Sequence, residues 1–166
     1  MAHSLDLSAE ILPRVAAGGF SIGMDIAEIA DLLSNSVSFE YVPGFDLVAA
    51  INANAGILSV RGLSPTEGCV VFFGPDTVRL VFNRLNKLGC IYVFSGYRGT
   101  YRSVAIGAPL SALRAFEQLE FDHGDEMYYR VDKIGTYVPG LSILAGDETV
   151  DGFCVHNWSL FNEGGT

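Results

Sequence analysis

Positive charge is scarce in this sequence. Ten lysines and arginines stand against nineteen aspartates and glutamates, leaving a formal charge of −9. A general nucleic-acid binder carries the opposite sign, so the composition argues against nucleic acid as a partner. Long apolar runs are missing as well. The longest, such as Cys69-Val70-Val71-Phe72-Phe73, have strand length, and none reaches the ~18 residues of a membrane-spanning helix. No membrane partner is therefore expected. Met1 to Phe20 lacks the charged start and apolar block of a signal peptide. Cys69, Cys90 and Cys154 form an odd set with no C-x-x-C spacing, which points to a reduced, cytoplasmic protein and away from zinc. P-loop, G-x-G-x-x-G and H-E-x-x-H patterns are absent, so neither cofactor nor metal is expected.

What is present is ample core material. The chain has 166 residues, 49% of them hydrophobic and only 17% charged, which suits one domain over 1–166. Met24–Leu33 has apolar residues at helical spacing, with Asp25 and Glu28 placed as a capping box. A second helix reads through Leu110–Glu117 behind Pro109. Val37–Val42, Asp46–Ile51, Gly56–Val60, Cys69–Phe73, Thr77–Phe82, Cys90–Phe94 and Met127–Val131 read as strands, and Gly74-Pro75-Asp76 as a hairpin turn. This pattern predicts an α+β fold: an antiparallel, strongly curved sheet with two short helices on one face.

A tandem duplication is a further expectation. Ser21–Leu32 lies over Ala105–Phe116 at an offset of 84, matching Ile22 with Ile106 and Gly23 with Gly107. Half repeats over 1–83 and 84–166 would follow. Tyr41-Val42-Pro43-Gly44 recurs as Tyr137-Val138-Pro139-Gly140, at a different offset of 96.

The stretch I-G-M-x-x-x-E-I-x-x-L-L, here Ile22 to Leu33, resembles an element of small bacterial proteins. It is similar to repeats of secreted β-lactamase inhibitors and outer-membrane lipoproteins. It also resembles cytoplasmic immunity proteins of contact-dependent growth inhibition and related toxin systems. The chain lacks a signal peptide, a lipobox and paired cysteines, which leaves the immunity proteins as the compatible relatives. The resemblance implies a non-enzymatic inhibitor and assigns no binding residues.

Several constellations invite chemistry. Gly19-Phe20-Ser21-Ile22-Gly23 fits the nucleophile elbow G-x-S-x-G, which would need His123 or His156 as base. The flanking sequence lacks the βαβ alternation of a hydrolase sheet. Asp147–Gly152 opens like a calcium loop, yet Trp158 stands where the bidentate glutamate belongs. Cys154 and His156 share one strand face and read as core. Trp158, Phe161, Tyr97, Tyr101, Tyr128 and Tyr129 are candidate interface anchors, because such rings bury large areas with few rotors.

Charge is distributed unevenly. Residues 1–60 carry −6, residues 61–114 carry +5, and residues 115–166 carry −8. Glu117, Glu120, Asp122, Asp125, Glu126, Asp147, Glu148 and Asp151 are therefore the predicted partner-binding surface. The expected function is an acidic immunity protein that binds a cognate toxin with a basic surface. The alternatives are a small hydrolase using Ser21 and a sheet-mediated dimer.

Overall fold

The apolar runs at the centre of the chain form strands buried on both faces, which is why they lack polar alternation. In the computed structural model, which describes residues 3–162, β1 (Ala16–Ala17) and β2 (Phe20–Ser21) form a small ribbon. The remaining strands are β3 (Val37–Glu40), β4 (Ile57–Arg61), β5 (Glu67–Phe73), β6 (Val78–Asn83), β7 (Leu88–Val93), β8 (Gln118–Asp122), β9 (Met127–Val131), β10 (Tyr137–Gly146) and β11 (Thr149–His156). They make one sheet in the order β3-β4-β5-β6-β7-β11-β10-β9-β8. Every neighbouring pair is antiparallel except β3–β4.

The expected α+β class is corrected by these observations. The chain is mostly β, with 41% strand and 14% helix, and the nine-stranded sheet is mixed and not strongly curled. Helices are only single turns or little more: α1 (Ala30–Leu33), α2 (Leu47–Asn52) and α3 (Ser111–Arg114). Nor do they share one face. Ile29, Leu110 and Leu113 pack with Phe20, Leu80, Phe82 and Phe153 on the first face of the sheet. Leu47, Ala50 and Ile51 of α2 pack with Phe72, Val81 and Cys90 on the second. The apolar alternation along β6 and β7 feeds both cores: Leu80 and Ile91 point to the first, Val81 and Cys90 to the second.

Asp46–Ile51, expected as a strand, is α2. The Asp46 carboxylate accepts from the Ala49 N–H at 3.0 Å, and Leu47, Ala50 and Ile51 fall on one helical side. The capping box at Asp25 and Glu28 forms as expected and opens a tight helical turn, Ile26–Ile29, that runs into α1.

The segments matched at an offset of 84 dock alike. The Gly23 N–H donates to the Leu88 carbonyl at 2.7 Å and the Leu88 N–H returns to Met24 at 2.8 Å. The Gly107 N–H donates to Val150 at 2.8 Å and the Val150 N–H returns to Ala108 at 2.9 Å. Both glycines have positive φ, +87° and +93°, so the shared Ile-Gly marks a turn that needs glycine. The docking segments are offset by 84, whereas Leu88 and Val150 are only 62 positions apart in sequence. Position 83/84 also falls inside the turn joining β6 to β7. A similar local dock thus recurs at the two matched segments. Tyr41–Gly44 follows β3, whereas Tyr137–Gly140 lies within β10, so that recurrence has no common structure.

Candidate protein-binding surface

The eight predicted acids lie around two hairpins. β8 and β9 are joined through His123–Glu126, β10 and β11 through the two-residue turn Asp147-Glu148, whose residues both have positive φ. Tyr128 stands opposite Ile143 in antiparallel register, so both turns project from the same end of the sheet.

Their side chains have different employment. Glu117 accepts from the Tyr101 hydroxyl and pairs with Arg102 at 3.0 Å, with its side chain only 14% exposed. Arg130, buried beneath, donates to the same Tyr101 oxygen at 3.2 Å. This network belongs to the first face. Glu148 is held by Arg114 at 2.6 Å. Glu126 and Asp147 shape their turns with left-handed backbones. Asp151 is exposed on β11.

Glu120, Asp122 and Asp125 converge. Asp122 accepts from the Gly124 and Asp125 N–H groups at 2.8 Å each, which folds the hairpin back. Asp125 accepts from the Tyr129 hydroxyl at 2.6 Å. Burial, and then Asp125 itself, hold the Tyr129 phenol well above its ordinary value, so it stays a donor. Together these three acids rim a groove of about 390 Å³ whose walls include Tyr129, Tyr137 and Trp158. Tyr129 and Tyr137 meet edge to face at 4.9 Å between centroids. The groove combines aromatic faces with carboxylates, the two features that attract a cation.

Trp158 connects this groove to the rest of the second face. It sits on a short turn, Trp158–Phe161, and stacks on His156 at 4.1 Å. A further depression of about 410 Å³ is lined by Tyr92, Asp125, Met127 and Trp158. Of the predicted anchors, Tyr129, Trp158 and Phe161 pack on this face, whereas Tyr97, Tyr101 and Tyr128 pack on the first. Tyr137 was not anticipated. Its strand, β10, is interrupted by Pro139 and Gly140, and the register slips between Val138 and Ser142.

No protein-family model, no curated protein and no solved structure matches the chain. The functional reading therefore rests on the residues.

The enzyme constellations are placed apart. Ser21 is exposed on β2, whose Phe20 stacks on Phe73 over the first face. His156 is buried on the second face, and His123 lies in the β8–β9 turn against Phe121. Cys154 and His156 do share a face, with Cys154 directed at Cys90, the two sulfurs 3.0 Å apart. Among the described residues no group of three or more His, Cys, Asp or Glu is arranged to hold a metal ion, and no helix is long and apolar enough to cross a membrane.

Proposed function

We propose that this chain is a non-enzymatic binding protein whose acidic β8–β9 hairpin captures a basic protein partner. The observation that carries the reading is the convergence of Glu120, Asp122 and Asp125 on one groove walled by Tyr129, Tyr137 and Trp158. A lysine or arginine side chain of the partner enters that groove, where ring faces and carboxylates act together. The surplus of acid in residues 115–166 steers the encounter.

The narrower form of the proposal is a cytoplasmic immunity protein, with a bacterial toxin as the basic partner. It draws on the resemblance of Ile22–Leu33 and on the electrostatic logic of such pairs: a toxin that acts on nucleic acid has a basic active site. The test is co-purification and rapid mixing with the product of an adjacent toxin-like reading frame. Substituting Glu120→Gln, Asp122→Asn and Asp125→Asn together should slow association by about tenfold or more at low salt and flatten its salt dependence. Unchanged rates in the triple variant overturn the surface. A reading frame whose product is neither bound nor inhibited overturns the immunity reading.

A second reading, sheet-mediated self-association, is favoured by one observation. The edge strand β3 is exposed throughout and carries Val37 and Phe39, with no lysine or proline to guard it. Light scattering across a concentration series decides it: a constant monomer mass counts against it.

A further inference from the structure

The second face carries another depression, distinct from the acidic groove. It is a trough of about 500 Å³ running over β5, β6 and β7 between α2 and the C-terminal turn. Val70, Phe72 and Val81 are its floor; Leu47, Ile51 and Phe161 stand along its sides. Its size and apolar lining are those of a small-molecule site.

One cation lies in it. Arg79 projects from β6, with Phe72, Tyr92 and Phe94 ring centroids 5.5, 4.9 and 5.1 Å from its guanidinium carbon. Asp76 takes Nε at 3.0 Å and also Nη2. Nη1 has no partner among the described residues, and the side chain keeps 30% exposure. The guanidinium is thus fixed in orientation by its ion pair and its aromatic neighbours, with donors still to offer. The trough also has an acid, Glu67. Glu67 stands opposite Asn83 beside a bulge in β5, within reach of the Arg79 charge. Burial pushes the Glu67 carboxyl up, and the Arg79 charge opposes that rise.

We propose that this trough binds a small amphipathic monocarboxylate, its carboxylate accepting from Arg79 and its apolar chain lying between α2 and Phe161. The charge selects the head group. With Asp76 paired to the guanidinium and Glu67 nearby, a second negative charge on the ligand is disfavoured, and a carboxylate is held by the hydrogen bonds that Arg79 still has to give. The apolar middle of the trough selects a body without further polar groups. This inference goes beyond the partner reading: the trough shares Trp158 with the acidic groove, but Glu120, Asp122 and Asp125 do not line it.

Calorimetric titration with decanoate, decanol and decyl phosphate below their micellar concentrations tests it. The expected result is one decanoate per chain, with decanol and decyl phosphate each at least tenfold weaker. Trp158, the only tryptophan, lines the trough, so its emission should shift on binding. Ile51→Trp, which fills the trough without touching the Arg79–Asp76 pair, should weaken decanoate at least tenfold while preserving the far-ultraviolet circular dichroism. Arg79→Met should bring decanoate to the affinity of decanol. If that variant does not fold, the decanol comparison and Ile51→Trp carry the decision. No decanoate binding, equal affinity for decanol or decyl phosphate, or full affinity in a folded Ile51→Trp overturns the proposal.

Discussion

His156 lies against Trp158 with the two rings 13° from parallel and 4.1 Å apart, and its Nδ1 is buried with no hydrogen-bond partner among the described residues. Its other nitrogen, Nε2, reaches only the Tyr137 hydroxyl, at 3.5 Å. The imidazole is thus a neutral ring within an aromatic stack. Burial first, and the Arg130 charge second, bring its pKa down to about 4.

That depression has a pH signature. The unfolded chain binds a proton at His156 near pH 6.5, the folded chain only near pH 4. Stability is therefore full above about pH 6.5 and declines as pH falls toward 4, by an amount on the order of 2 kcal/mol. Urea unfolding at a series of pH values should show this limb, and His156→Phe should flatten it. A limb of equal slope in the variant would assign it to other groups.

The predicted acids divide into structural and free members, and mutation should separate them. Glu117→Ala removes the acceptor for Tyr101 and the partner of Arg102, and should lower stability by about 1–2 kcal/mol without changing partner association. Glu120→Gln should leave the unfolding midpoint within about 0.5 kcal/mol of the parent and slow association instead. The reverse pattern would move the binding surface to the first face.

Gly23 and Gly107 can be tested by alanine. At each site an added Cβ meets nothing within 4 Å, so only the positive φ opposes it. Each substitution should cost about 1 kcal/mol, and the pair should be additive, as measured by denaturant midpoints. Gly152→Ala should be more severe, because its Cβ would stand 2.7 Å from the Val93 carbonyl oxygen.

The three cysteines are buried, and burial raises the thiols of Cys69 and Cys90. Native protein should therefore react slowly with a maleimide, and three equivalents should be taken up only on unfolding. Rapid labelling in the native state, mapped by peptide mass to Cys90 or Cys154, would show that the second face opens.

Legibility in the sequence followed the range of the interactions. Asp25 with Glu28, and Gly74-Pro75-Asp76 between β5 and β6, are contained within four residues and formed as read. The strand expected at Met127–Val131 matches β9. Asp46–Ile51 misled because six residues rich in aliphatic side chains satisfy a strand period as readily as a helical turn, and contact of Leu47 and Ile51 with the second core decides between them. Gln118–Asp122 is not among the expected strands; it is the edge strand β8 because β9 pairs with it along its whole length. Only Asp76, three residues away, marks Arg79 locally; its aromatic neighbours Tyr92 and Phe94 come from β7 and the residue after it.

By itself the sequence determined the strand character of the central apolar runs, the glycine turns and the acidic surplus, since runs of apolar residues, positive φ and net charge are properties of the chain. The tertiary structure alone decided that the sheet is mixed and mostly β, because β11 inserts between β7 and β10 and β3 pairs parallel with β4 across an intervening helix. It also decided which acids are ion-paired. Glu117 and Glu148 lie near Arg102 and Arg114 only after folding, and the same step leaves Glu120, Asp122 and Asp125 around one aromatic groove. Charge is additive along a sequence, but its neutralisation depends on distance in three dimensions.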